Sequence, residues 1–313
     1  MKKRRLGSTE LKVSEVGFGT WRLGSSAFWG TMSDSSAHSL VSESLDSGCT
    51  LFDTAPNYSD SNSERLLGEA LQGHRDDVVL VSKIGHGEDG GPDFSDEWFW
   101  KSLHGSLQRL KTDYLDVYLL HSPPVECQHP AHPVWDALRQ AQAQGKIRYF
   151  GASVDSADEV DMCLEAEGLQ ILEVMFNILH QDVRRSFAAV RERGVGLLAK
   201  VPLDSGWLGG SYHANSRFVG VRDRWSKEDI QRRSELINQL VWLTEGGATL
   251  AQQALSYLLA YSEVSCVIPG ACSIDQLKFN LSASKHVMSP TDRAKLEVFW
   301  DTFTQEGKCL LPW

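Results

Sequence analysis

The 313-residue sequence predicts an α/β chain in which eight strand-helix units close into a barrel, and three observations carry that expectation. Short apolar runs of strand length recur along the chain, each followed by a stretch with helical periodicity. Several of these runs end in a titratable or small polar residue next to Gly, Pro or Ser, which marks a strand exit. No low-complexity linker divides the chain, and its length suits a barrel with insertions. One domain over 1–313 with a (β/α)8 TIM-barrel fold is therefore expected in preference to an open doubly wound sheet.

Arg5-Leu-Gly-Ser-Thr-Glu-Leu-Lys-Val13 reads as two extended pieces about a Gly-Ser turn, an N-terminal β-hairpin expected to plug the barrel floor. Val16-Gly-Phe-Gly-Thr-Trp21 is the first barrel strand and its exit, and the Gly/Ser-rich loop 24–33 carries Phe28 and Trp29. Asp34 is the expected N-cap of a helix over 35–47, ended by Gly48. The second strand, Leu51-Phe-Asp53, precedes a helix over 63–72 with Gly73 past its end. Val78-Val-Leu-Val-Ser-Lys83 is the third strand, followed by a polar loop 85–94 and a helix over 95–110. The fourth, Leu115-Asp-Val-Tyr-Leu-Leu-His121, runs into Ser-Pro-Pro, which stops regular structure. A helix over 133–144, the fifth strand 146–153, a helix over 156–167, the sixth strand 169–177, a helix over 181–193 and the seventh strand 194–200 repeat the rhythm. Segment 203–233 is longer than an ordinary βα loop and is expected to be a lid. A helix over 248–260, the strand Val264-Ser-Cys-Val-Ile268 and a helix over 273–283 complete the eight units, and 290–305 is an extra C-terminal helix.

The net charge of −10, with Lys2-Lys-Arg-Arg5 the only dense basic cluster, argues against a nucleic-acid partner. The six cysteines show neither C-x-x-C nor a metal-ligand spacing, which predicts scattered reduced thiols, no disulfide scaffold and no metal. Gly7-Ser-Thr-Glu-Leu-Lys12 follows the basic start where a signal peptide would be apolar, and no run reaches membrane-spanning length. A cytoplasmic protein with no membrane partner is the expectation.

Four side chains that carry chemistry, Asp53, Tyr58, Lys83 and His121, fall at or just beyond strand ends. The steps between their strands are about one βα repeat, so parallel strands would gather all four at one end of the sheet. Asp53-Thr-Ala-Pro-Asn-Tyr58, Val-Ser-Lys83-Ile-Gly and Leu-Leu-His121-Ser-Pro resemble the tetrad of the aldo-keto reductase superfamily. The likeness continues at Val201-Pro-Leu-Asp-Ser-Gly206 and at Val267-Ile-Pro-Gly-Ala271 with Gln276 and Asn280, so it spans nearly the whole chain.

The resemblance implies a nicotinamide-dependent oxidoreductase acting on an aldehyde or ketone, or in reverse on an alcohol or sugar. Reducing a carbonyl needs a hydride at carbon and a proton at oxygen. Tyr58 would supply the proton as general acid, its phenol acidified by the Lys83 ammonium, which Asp53 would hold in place. His121 would hydrogen-bond the substrate oxygen. The hydride has to come from a cofactor, since no side chain delivers one.

The same resemblance places the cofactor. Ser153 would bond the nicotinamide carboxamide, and the backbone of Val201, Pro202, Leu203, Ser205 and Gly206 would run along the pyrophosphate. Gly270, Ala271, Gln276 and Asn280 would enclose the adenosine, and Gly19, Thr20 and Trp21 join these contacts at the first strand exit. The chain departs from the family pattern at Val154, Glu173 and Lys200, all near the nicotinamide. Glu173 and Lys200 are expected to form an ion pair beneath the ring, with Glu173 accepting from the carboxamide nitrogen. The residues leave NADP or NAD open, because Lys278 is the one cation near the expected 2′ position. A substrate mouth lined by Trp21, Phe28, Trp29, His86 and Trp207 suits a small carbonyl compound or a sugar, and Arg217, Arg222 and Arg224 could meet an anion. A non-catalytic cofactor-binding sensor or scaffold of the same fold, similar to potassium-channel β-subunits, is the competing expectation. A barrel lyase or isomerase without nicotinamide is the third.

Overall fold

The structure is a computed structural model and describes residues 1–25, 30–220 and 223–312. The chain begins with a hairpin, β1 (Lys3–Arg5) and β2 (Lys12–Ser14), paired antiparallel with Arg4 opposite Val13. Eight strands then form one parallel sheet in sequence order. They are β3 (Phe18–Gly19), β4 (Leu51–Asp53), β5 (Val79–Ile84), β6 (Leu115–His121), β7 (Ile147–Val154), β8 (Ile171–Met175), β9 (Gly196–Lys200) and β10 (Val264–Val267). The two ends of the sheet meet. The Gly17 N–H donates to the Val267 carbonyl at 2.8 Å and the Val267 N–H to that of Glu15 at 2.9 Å. Parallel bridges join Val16 to Val267 and Gly19 to Gly270, so the sheet curls into the expected barrel.

The helices are α1 (Asp34–Asp46), α2 (Asn62–Ala70), α3 (Asp96–Leu110), a single turn α4 (Val125–Gln128), α5 (Val134–Ala143), α6 (Ala157–Leu164), α7 (Phe187–Arg193), α8 (Lys227–Asn238), α9 (Leu250–Leu259), α10 (Ile274–Ser282) and α11 (Pro290–Phe303). Ser33, not Asp34, caps α1: its hydroxyl accepts from the Ser36 N–H, and Asp34 sits in the first turn, where its charge meets the positive end of the helix. The expected lid 203–233 is largely ordered structure. It starts with a 3-10 stretch, Asp204–Gly209. It continues through a cluster of Trp207, Tyr212, Phe218 and Trp225 rings and ends in α8. The start of α8 is fixed by a reciprocal cap between Ser226 and Asp229.

Strand parity explains both cores. Leu51, Val79, Val81, Val117, Leu119, Ile171, Leu198 and Cys266 fill the barrel interior. Their neighbours of opposite parity, such as Phe52, Leu80, Tyr118 and Leu172, pack outward under the helices. The hairpin adds Leu6, Leu11 and Val13 to the interior set and so closes the floor. Arg4 fastens it there, donating to the carbonyls of Leu259, Tyr261 and Val264, which lie at the end of α9 and the start of β10, and pairing with Glu15 at 2.8 Å. Among the described residues no helix is long and apolar enough to cross a membrane, and no group of His, Cys, Asp and Glu is placed to hold a metal.

Gly151 sits in β7 where the backbone of β8 crosses closest: a Cβ built there would lie 1.6 Å from the Ile171 carbonyl oxygen. Backbone cannot step aside as a side chain can. Gly151→Ala is therefore expected to cost about 3 kcal/mol or more, the upper end for overpacking, read as a lower urea midpoint at unchanged slope.

Candidate active site

The inward parity of each strand, continued past the apolar interior, delivers a polar side chain to the C-terminal mouth. Leu51 leads to Asp53, Val81 to Lys83, Leu119 to His121, Gly151 to Ser153, Ile171 to Glu173 and Leu198 to Lys200. Register places His121 beside Ser153, and Ser153 beside Glu173. A cavity of about 780 Å³ opens above them.

Lys83 is fully buried at the centre. Its Nζ donates to Asp53 Oδ2 at 2.5 Å, to the Thr54 carbonyl at 3.1 Å and to Tyr58 Oη at 3.4 Å. The Tyr58 and His121 rings meet edge to face with centroids 5.8 Å apart, and His86 stands edge-on to His121 at 4.9 Å. Burial alone would strip the proton from Lys83, but Asp53, then Glu173 and Tyr58, hold its pKa above the ordinary lysine value. Burial raises the Tyr58 pKa, and the opposing pull of Lys83 only partly offsets it, so the phenol keeps its proton through neutral pH. The expected acidification by Lys83 is thus present but outweighed. Burial, then Lys83 and Lys200, push His121 well below the usual imidazole value, leaving it neutral.

The second layer differs from expectation. Glu173 and Lys200 make no direct ion pair. Lys200 Nζ donates to Ser153 Oγ at 2.8 Å, and Ser153 Oγ donates to Glu173 Oε1 at 3.0 Å, so the serine stands between them. Lys200 takes its ionic partner from Asp155, at 2.9 Å, while Glu173 Oε2 lies 3.4 Å from Lys83 Nζ. Asp53 and Glu173 thus face one ammonium in a dry site, and the pair gives up its two protons in separated steps. Burial and Glu173 push the Asp53 carboxyl well up; Lys83 and Lys200, working against burial, hold Glu173 down.

Farther along the cavity, Val201, Asp204, Ser205 and Gly206 all take positive φ, a backbone run that only Gly adopts without strain. Asp204, fully buried, anchors it by an ion pair to buried Arg233 at 3.2 Å, with His180 at 3.4 Å. The cavity wall is completed by Gly270, Gln276 and Asn280, whose amide donates to the Gly270 carbonyl at 3.1 Å.

These features fit a nicotinamide dinucleotide: a long cavity, a loop of turned backbone along its middle, and a buried carboxylate oxygen, Glu173 Oε2, that receives no hydrogen bond. The sequence model of the Aldo/keto reductase family matches residues 15–301. The chain belongs to that family. Aldo-keto reductases are NAD(P)-dependent oxidoreductases of small carbonyl compounds. The chain is 31% identical to L-galactose dehydrogenase of Arabidopsis thaliana over 90% of its own length and 87% of the relative's. It is 29% identical to the NADH-specific methylglyoxal reductase of Escherichia coli over 93% and 96%. The holo form of aldo-keto reductase AKR11C1 from Bacillus halodurans superposes with a TM-score of 0.81 at 28% identity, covering 96% of each chain.

Within this aldo-keto reductase, Gly19, Trp21, Val201, Pro202, Leu203, Ser205 and Gly206 line the cavity. Others stand elsewhere. Thr20 is buried and its hydroxyl donates to the Asp53 carbonyl at 2.7 Å, bolting two strand exits together. Ala271 is buried outside the lining, and His86 contacts His121 instead of the cavity. Trp207 has no exposed surface and packs in the aromatic cluster, so it does not form the mouth. Phe28, Trp29 and Arg222 lie outside the described residues. Arg224 lines the cavity and Arg217 does not. Asn57, Ser122, Asp155, Tyr212, Asp275 and Phe279 line it without having been singled out. Asn57 and Ser122 adjoin Tyr58 and His121 in sequence, and Asp155 continues the parity of Ser153, which is the signal that could have found them.

With its ionisation suppressed by burial and two lysines, the His121 ring should show no titration near pH 6.5, where a free imidazole changes charge. Side-chain nitrogen chemical shifts followed from pH 8 to 5 test this, and a midpoint near the free value would contradict that suppression.

Proposed function

We propose that the chain interconverts a small aldehyde or ketone and the matching alcohol or sugar, using Tyr58 as the acid that protonates the carbonyl oxygen during reduction. The observation that carries this reading is the single Lys83 nitrogen shared by Asp53 and Tyr58 at the cavity floor, with neutral His121 against the same phenol. A bound reduced nicotinamide supplies the hydride. His121 offers an N–H to the substrate oxygen and fixes its position. Tyr58, protonated at rest, gives its proton as negative charge grows on that oxygen, and Lys83 stabilises the phenolate left behind. Asp53 keeps Lys83 charged where burial would otherwise discharge it. A dehydrogenase of a sugar and a reductase of methylglyoxal among the relatives agree with a small polar substrate.

For the cofactor we favour NAD. Asp275, in the first turn of α10, lines the cavity together with Gln276, Phe279 and Asn280, and Lys278 is paired with Glu43 on α1 at 3.3 Å. A ribose 2′-hydroxyl can donate to the Asp275 carboxylate, whereas a 2′-phosphate would meet like charge.

Tyr58→Phe should lower turnover of a generic aldehyde by roughly 10²–10⁴-fold, the usual worth of a positioned acid. Turnover equal to wild type would instead show that Tyr58 is not the acid. Initial rates with equal NADH and NADPH should favour NADH by about tenfold or more, as expected of one close like-charge contact, and Asp275→Asn should narrow the gap.

A further inference from the structure

Glu173 is a charged group at the barrel mouth that this proton chemistry does not use. It lies on β8, is 2% exposed, and lines the cavity. Oε1 accepts from Ser153, but Oε2 receives no hydrogen bond. Its nearest cation, Lys83, has three N–H donors and directs them at Asp53, Thr54 and Tyr58.

The mouth holds more carboxylates than ammonium groups, and Glu173 shares Lys83 with Asp53 at the longer distance of 3.4 Å. Lys83 on β5 is matched by Asp53 on β4 at 2.5 Å, and Lys200 on β9 by Asp155 beyond β7 at 2.9 Å. His121 on β6 is neutral and Tyr58 protonated. With Asp53 and Glu173 both ionised, two carboxylates share the one Lys83 ammonium and the mouth carries one excess negative charge, with Glu173 Oε2 in the wall of the cavity.

We infer that Glu173 makes the site discriminate between the two redox forms of the nicotinamide, holding the oxidised, cationic form more tightly than the reduced, neutral one. This rests on the nicotinamide reading above. Tyr58 Oη and Glu173 Oε2 each lie 3.4 Å from the same Lys83 nitrogen. Both residues line one cavity, so a ring that exchanges hydride with a carbon whose oxygen rests on Tyr58 would share that cavity with the Glu173 carboxylate. A unit charge on that ring interacts with Glu173 across a few ångströms of low-dielectric protein, whereas a glutamine of the same shape would present a dipole. The enzyme is thereby loaded for alcohol oxidation. In that direction a bound oxidised cofactor would take the hydride of the alcohol carbon. The hydroxyl proton passes by way of the Tyr58 oxygen to water, leaving the carbonyl product and the neutral, less tightly held form of the cofactor.

A proton kept by the Asp53/Glu173 pair, where burial and Glu173 raise the Asp53 carboxyl, cancels the excess charge, so the discrimination is weaker while that proton is bound. The groups facing the pair are Lys83, Tyr58, His121, Asp155 and Lys200.

The test is isothermal titration calorimetry of the wild type, Glu173→Gln and Lys200→Met with NAD⁺, NADH, NADP⁺ and NADPH, at neutral pH and at about pH 9. The ratio of reduced-form to oxidised-form dissociation constants should fall by about tenfold or more in Glu173→Gln, mostly through weaker binding of the oxidised form. It should rise in Lys200→Met, which leaves Asp155 unmatched. Both forms bound with an unchanged ratio in Glu173→Gln, or both weakened alike, would overturn the inference. Should Glu173→Gln not fold, the Lys200→Met ratio decides: a rise supports the inference and no change overturns it. Absence of any binding to the wild type would instead overturn the nicotinamide reading.

Discussion

A lysine ammonium with no exposed surface is tolerable only while a carboxylate stays against it, and the mouth of this barrel is arranged around that requirement. Asp53 meets Lys83 at 2.5 Å, and neither can be repositioned without moving a strand that also carries the core. Removing one partner of such a buried pair typically costs about 3–5 kcal/mol, because the survivor is left charged and dry. The phenol and the imidazole are placed with reference to this pair: Tyr58 by its bond to Lys83, His121 by its edge contact with Tyr58.

The same geometric rule that fills the barrel supplies the site. Side chains of one parity are apolar near the hairpin and polar near the mouth, and the change occurs at one level across six strands, from Leu51 and Asp53 to Leu198 and Lys200. Stability and chemistry therefore share a backbone with no slack between them. The strained run from Val201 to Gly206 is the exception, a conformation that the buried Asp204–Arg233 pair has to hold from outside the barrel.

This sharing explains what the sequence discloses. Strands announce themselves by apolar runs, and Asp53, Lys83 and His121 stand out because each interrupts such a run at its end. Depth does not show in the same way. Trp207 reads as a mouth residue from its place after a strand, yet its ring is wholly covered by Tyr212, Phe218 and Trp225 contacts made by residues up to 18 positions on. Thr20 directly follows Gly19 at a strand exit and reads as a ligand contact, whereas its hydroxyl serves the backbone. Glu173 and Lys200 lie on adjacent strands, and adjacency suggested a pair. Spacing could not reveal that Ser153 would intervene or that Asp155 would claim the lysine. The reciprocal cap of Ser226 and Asp229 was readable, but an excess of glycine and arginine before it obscured the helix that follows.

The hairpin floor has a consequence for traffic. With Leu6, Leu11 and Val13 wedged among the strand residues, nothing passes along the barrel axis, and every molecule that reaches the tetrad arrives and departs by the same doorway. Where two guests share that mouth, the one nearer the hairpin can leave only after the other has gone.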